Sequence, residues 1–373
     1  MRASARPKQA HSSPDPGAAQ PIRVVAFPKD SRQNPHMRLL YGALAAHGVS
    51  VEEGSLKSLA RARYDLVHVH WPERLLNRPL LRRWRGFIRF LVDMALIRAR
   101  GARLIWTVQN IKGHEERKGP ASHLFRRIFF RNLSGFISLS HTAHGLTLST
   151  YPALRDKPSL VAPRGHYRDL YPDPPARRAA KAALGLPEDS LVIGLIGLVR
   201  PYKNIPHLLR CARRLDRGDL RLLIAGECTD RALAAELSAL AAADPRVNLQ
   251  LRFIPESELA AAVRALDMTV LPYKEILNSG SALLALSLDV PVLAPAMGTL
   301  IEVQQAVGEA WVRTYHGDLD DRELAAALTW ADRPREGRAP LGYFDWERNA
   351  TATARFFRQV LGRPSGDDPV AGA

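Results

Sequence analysis

The chain is short of cysteine, of long apolar runs and of acidic charge, and each shortage excludes something. Only Cys211 and Cys228 occur in 373 residues. Two cysteines cannot form a disulfide framework and their spacing fits no metal knuckle, so they read as buried thiols in a reducing compartment. No uncharged apolar stretch reaches the roughly 18 residues a membrane-spanning helix needs. The first twenty residues are rich in Pro, Ser, Ala and Gln without an apolar segment. They read as a disordered arm and not as a secretory signal, which points to the cytoplasm. Acidic residues number 37 against 53 Lys and Arg, a formal net charge of +16.

The basic excess is clustered. From Arg74 to Arg131 there are fifteen Lys and Arg and three Asp and Glu, a net of +12. Such a segment implies an anionic partner. No helix-turn-helix, zinc finger or aromatic RNA-binding motif accompanies it, so nucleic acid is not expected. Within it, Leu80 to Leu96 interleaves Arg82, Arg83, Arg85 and Arg89 with Trp84, Phe87, Ile88, Phe90 and Leu91. That pattern suits a helix lying at the surface of an anionic membrane, on the inner face for a cytoplasmic protein. An Arg-rich crossover helix with one apolar face on a sheet would read the same way.

With 46% hydrophobic residues, the chain has enough apolar side chains for full cores, and its length suits two domains. Apolar strands are expected at Ile22–Phe27, Val49–Glu52, Tyr64–Trp71, Leu104–Val108 and Gly135–Ser140. After the proline-rich break Tyr171–Pro175, a second series follows at Leu191–Gly197, Leu220–Ala225, Val247–Phe253, Asp267–Leu271 and Pro291–Ala294. Helical segments separate the strands, which implies two doubly wound α/β domains with parallel sheets. The expected organisation is a disordered arm (1–20), a first domain (21–163), a second (164–340), a returning helix (341–363) and a disordered tail (364–373).

Ligands of such sheets sit beyond the carboxyl ends of the strands, so the residues just past each strand are the candidates. Asn278-Ser279-Gly280-Ser281 opens a helix directly after a strand and loop. Its first N–H groups lack partners within the helix and carry the positive end of the dipole, which suits a phosphate. An ordinary capped helix of a βαβ unit would look the same. What favours the anion is Arg200 and Lys203, two cations just past another buried strand, which together with that helix start make a clamp for a diphosphate. Glu227, in a tight turn after Gly226, and Tyr273 are candidates for the nucleoside side. On the first domain, Glu73 follows a strand ending in His68-Val69-His70-Trp71-Pro72 and is the candidate general base, with His114 and Glu115 as rivals. His68 and His70 share one strand face, but no third and fourth ligand follows at metal spacing, so neither a metal nor another cofactor is expected.

These motifs resemble the GT-B glycosyltransferases, which use nucleotide sugars. Gly197–Lys203 looks like their diphosphate-binding segment, and Asn278–Pro295 like their donor helix and following strand. His70–Glu73, Gly165–Asp169, Arg200–Lys203 and Leu271–Lys274 together with Asn278–Gly280 are similar to one group, the xanthan-type β-mannosyltransferases. The resemblance runs from about residue 22 to residue 361. It implies a two-domain GT-B fold with a cleft and transfer of mannose from GDP-mannose to a polyprenyl-diphosphate-linked oligosaccharide in exopolysaccharide assembly. It also implies a peripheral place on the membrane, and His166 at the domain junction near the donor. Leu284 stands where retaining members carry their second donor-site glutamate, and its apolar side chain argues for inversion. A retaining hexosyltransferase with another nucleotide sugar, a nucleotide-sugar epimerase and a non-catalytic binding module are the alternatives.

Overall fold

The computed structural model describes residues 20–30, 35–72, 80–110 and 120–364. Among the described residues, twelve strands form two sheets of six. The first holds β1 (Ile22–Phe27), β2 (Val49–Glu53), β3 (Leu66–Val69), β4 (Arg103–Val108), β5 (Leu133–Ser138) and β6 (Ser159–Val161), in the spatial order 2-1-3-4-5-6. The second holds β7 (Leu191–Ile196), β8 (Leu220–Ala225), β9 (Val247–Gln250), β10 (Met268–Val270), β11 (Val292–Pro295) and β12 (Val312–Tyr315), in the order 12-11-10-7-8-9. Every pairing is parallel. Central strands such as β7 are buried at every residue, because helices cover both faces of a parallel sheet.

Each sheet has a point where the strand order reverses: between β1 and β3 in the first, between β7 and β10 in the second. Adjacent crossovers leave in opposite directions there, which opens a crevice at the strands' carboxyl ends. Both crevices contribute to one cavity, described below.

Two edge strands, β6 and β12, were not evident in the sequence, and β9 is shorter than the apolar pattern suggests. It stops at Gln250 because Arg252 N turns back to Gln250 O at 2.9 Å, and Phe253 is left 54% exposed.

The helix Trp346–Leu361 starts under an Asp345 cap and crosses back to the first sheet. Its face of Ala350, Ala354, Phe356 and Phe357 packs with Met37, Leu40 and Leu44 of the helix His36–Ala45. Trp346 Nε1 donates to His166 O at 2.6 Å. A β-carbon on Gly165 would lie 2.3 Å from the Trp346 ring, so only glycine lets the linker pass there.

Leu80–Ala99 is the crossover helix between β3 and β4, with Phe90, Met94 and Ile97 in the core of the first domain. Its opposite face leaves Ile88, Leu91 and Val92 at 59%, 38% and 41% exposure. No helix among the described residues is long and apolar enough to cross a membrane.

Candidate active site

A cavity of about 1030 Å³ lies between the two sheets. From the second domain come the segments after the two switch-point strands, β7 and β10. After β7 the chain turns at Gly197, with φ +120°, a conformation L side chains rarely adopt. A β-carbon there would lie 3.7 Å from Ser281 Oγ and 3.9 Å from Lys203 Nζ, so the bare backbone leaves both groups facing one space. Gly226 makes this possible from beneath. Its φ is +154°, and a β-carbon on it would lie 2.0 Å from Gly197 O.

Arg200 caps the short 3-10 turn Pro201–Lys203, and Lys203 ends it. The Arg200 guanidinium donates to Thr229 Oγ1 at the cavity wall. Lys203 is 4% exposed, and burial is the main reason its pKa falls from the usual 10.5 to about 8. A buried ammonium held near neutrality is a site waiting for an anion. Across from it the helix Gly280–Ser287 begins, capped by Ser279, whose Oγ accepts from Ala282 N at 3.2 Å. The N–H groups of the first turn have no partner within the helix and point to the same region.

Tyr273 does not line the cavity. It is 4% exposed and lies edge-on to Tyr202 with ring centroids 5.7 Å apart, close to Ser279 and Ser281. As a candidate for the nucleoside side Tyr273 is therefore corrected: it is a buried prop beneath the cation and the helix start, with Lys203 Nζ 5.7 Å from its ring. Burial pushes its phenol up to about 12, so it stays neutral. Glu227 also lies off the cavity wall; its carbonyl accepts from Val199 N at 2.9 Å, and Thr229 and Asp230 line the cavity in its place.

His166 sits at the junction, not in the cavity. Its N–H donates to Phe344 O at 2.9 Å and its own carbonyl receives Trp346 Nε1, so its backbone tethers the returning helix. Burial lowers its pKa. The next residue, Tyr167, is the one that reaches the cavity. Its hydroxyl would be 3.4 Å from a β-carbon on Gly280, directly over the helix start. Glu275 and Leu284 complete the donor side of the wall.

From the first domain the wall takes Trp71, Gln109, Asn110 and Arg164. Arg164 was not singled out from the sequence, because it belongs to the segment after β6, an edge strand too short to read. It anchors a directed chain of hydrogen bonds. A guanidinium can only donate, and Arg164 Nη2 donates to Gln109 Oε1 at 2.8 Å. Gln109 therefore turns its amide N–H towards His70 Nδ1, at a long 3.5 Å. His70 then donates from Nε2 to the Tyr41 hydroxyl (2.6 Å), which donates to His68 Nδ1 (2.9 Å). His68 in turn donates from Nε2 to Thr107 Oγ1 at 2.7 Å. Burial holds both rings neutral, His68 near 3 and His70 well below the usual value. The histidine pair is thus a structural relay that fixes the β3 and β4 ends beside the cleft. Glu73, His114 and Glu115 lie outside the described residues.

The two domains meet at Asn278, whose Nδ2 donates to Gln109 O at 2.8 Å. Away from the cleft, Glu302 accepts from His141 N (2.9 Å) and Thr142 N (2.6 Å), capping a first-domain helix from the second domain.

A cleft between two doubly wound domains, with cations facing a helix start, is the architecture of a GT-B glycosyltransferase. A family model described as "Glycosyl transferases group 1" matches residues 190–331, the domain that holds the clamp. The chain is 30% identical over 354 residues to GDP-mannose:glycolipid 4-beta-D-mannosyltransferase of Xanthomonas campestris pv. campestris, covering 93% of this chain and 95% of that protein. The chain belongs to this family of glycosyltransferases. Among solved structures, sucrose-phosphate synthase from Thermosynechococcus elongatus superposes with a TM-score of 0.63 at 17% identity, covering 92% of this chain and 100% of that one. Anabaena HepE, in complex with UDP and glucose, gives 0.63 at 15% identity, covering 91% and 98%.

Proposed function

We propose that the protein transfers mannose from GDP-mannose, with inversion, onto a polyprenyl-diphosphate-linked oligosaccharide in exopolysaccharide assembly, at the inner face of the membrane. The observation that carries this reading is the space bounded by Lys203 Nζ, Ser281 Oγ and the start of the helix Gly280–Ser287. A departing nucleoside diphosphate develops negative charge there, and a charged ammonium with aligned N–H groups stabilises it without a metal. The donor sugar and the glycolipid acceptor are carried over from the mannosyltransferase relative.

Inversion is a single displacement and needs one base on the acceptor hydroxyl, opposite the leaving group. Glu73 is the proposed base, with His114 and Glu115 as rivals. Leu284 lines the cavity where a carboxylate would serve a retaining enzyme's donor, which favours the single-displacement route.

The test is transfer from radiolabelled GDP-mannose, UDP-glucose and UDP-N-acetylglucosamine to a lipid-linked oligosaccharide, with the anomer of the product read by NMR. Mannose transfer giving a β-anomer is expected. Transfer only from a UDP-sugar would refute the donor assignment, and an α-product would refute inversion. In the same assay Glu73→Gln is expected to lose most turnover while the dissociation constant for GDP stays within about twofold.

A further inference from the structure

A second pocket, of about 600 Å³, opens at the surface of the first domain between its sheet and its helices. Its walls are Val69 of β3, Phe90, Met94 and Ile97 of the helix Leu80–Ala99, and Phe129 of the helix Pro120–Asn132. Its volume is within the range of ligand pockets, and its floor is apolar.

Three further observations say what enters. Arg85 and Arg89 line the same cavity. Arg89 is paired to Asp93, Nε to Oδ1 at 2.9 Å, so the cavity's polar part carries one net positive charge, centred on Arg85. Trp71 lines both this pocket and the donor cleft, so the two adjoin at that ring. Finally, Ile88, Leu91 and Val92 are exposed on the outer face of the helix that roofs the cavity, an apolar apron beside its arginines. Apolar depth, a cationic rim and a place beside the reaction site together fit an amphiphile with a long hydrocarbon chain and an anionic head.

We propose that this cavity holds the polyprenyl chain of the lipid-linked acceptor, with its diphosphate at Arg85 and Arg89. The assignment rests on the acceptor class proposed above. It adds a site that grips the lipid itself, so recognition does not depend on the sugar alone. Guanidinium groups bind phosphate oxygens in bidentate fashion, which suits the head. The first isoprene units replace water against Phe90, Met94 and Phe129.

The test uses farnesyl diphosphate as probe, titrated by calorimetry into the full-length protein, with inorganic diphosphate and dihexanoyl-phosphatidylglycerol as separate arms. Farnesyl diphosphate is expected to bind at least about tenfold more tightly than either. Met94→Trp, which fills the cavity, and Arg85→Glu, an exposed change that leaves the core intact, are each expected to weaken it by about tenfold or more. Nucleotide affinity should stay unchanged in both, which also reports that the variants are folded. Unchanged farnesyl diphosphate affinity in Arg85→Glu and Met94→Trp overturns the site, as does equal binding of the phosphatidylglycerol. In the transfer assay, a rise in acceptor KM of about tenfold for Met94→Trp, with donor KM unchanged, supports it. Unchanged acceptor KM refutes the lipid site while leaving the transfer reaction standing. Binding that responds to Met94→Trp in a protein that glycosylates no lipid-linked acceptor supports the site and refutes the reaction.

Discussion

Burial under the cleft floor pulls Lys203 down to about 8, so its ammonium is half lost at a pH where a surface lysine is still fully charged. A diphosphate binds the protonated form. Its affinity is therefore full below pH 8 and falls by about tenfold per unit as pH rises beyond it, because a proton must be taken up first. Calorimetric titration of GDP between pH 6 and 10 is expected to show that break, with net proton uptake in the alkaline range. Lys203→Met should flatten the profile and weaken binding at pH 7 by about tenfold or more; an identical break in that variant would remove Lys203 from the clamp. Folding linkage has a different sign. Between pH 8 and 10.5 the unfolded chain holds this proton and the folded one does not, so this group's contribution to stability rises with pH across that window. The residues Arg200, Lys203 and Asn278–Ser281 could be picked out from sequence because each follows an apolar strand directly. Tyr273 could not be judged that way: nothing in Leu271–Lys274 says whether an aromatic ring faces a ligand or the core. Arg164 follows β6, a three-residue strand with no buried position, which leaves no apolar run to mark a strand end.

The elements show the same division between strong and weak patterns. Central strands β1, β4, β7 and β8 are dense in Val, Ile and Leu because helices cover both of their faces, and that density is visible in the chain. β6 and β12 pair on one side only, and β12 reads Val-Arg-Thr-Tyr, which looks like a polar loop until β11 supplies its partner. The helix Trp346–Leu361 has a clear amphipathic period, but its apolar face would fit many surfaces. It docks on the first domain because Gly165 admits the Trp346 ring and because Met37, Leu40 and Leu44 meet its phenylalanines. Phe357 is fully buried in that contact. Phe357→Ala is expected to cost about 3–5 kcal/mol from the lost burial and the cavity left behind. Urea denaturation followed by circular dichroism checks this, and a loss below about 1 kcal/mol would mean the helix is not held by that ring.

At the scale of the whole molecule, charge and shape act together. The basic excess of 74–131 falls within the first domain's sequence, and the helix Leu80–Ala99, which carries part of it, exposes Ile88, Leu91 and Val92. Each Lys or Arg near an anionic leaflet contributes on the order of 1 kcal/mol, and that part is screened by salt. Flotation with vesicles containing phosphatidylglycerol is expected to recover the protein at low salt and to lose most of it above about 0.5 M NaCl. Recovery that ignores both salt and lipid charge would refute electrostatic attachment. The second domain brings the donor clamp, joined to the first by Asn278 at the cleft and by Glu302 away from it.

The sequence by itself determined the α/β class, the two-sheet order of the chain, the cations and the helix start at the donor side, and the resemblance that names the chemistry. Those features are local: they are written in runs of neighbouring residues, through burial of a strand or the cap of a helix. Only the tertiary structure decided which side chains face the cleft, that the histidine pair is a buried relay tied to Arg164, and that Tyr273 supports the clamp from below. It alone revealed the second cavity beside Trp71. Each of these depends on contacts between residues tens to hundreds of positions apart, and no local pattern carries the orientation of a ring or the volume left between helices.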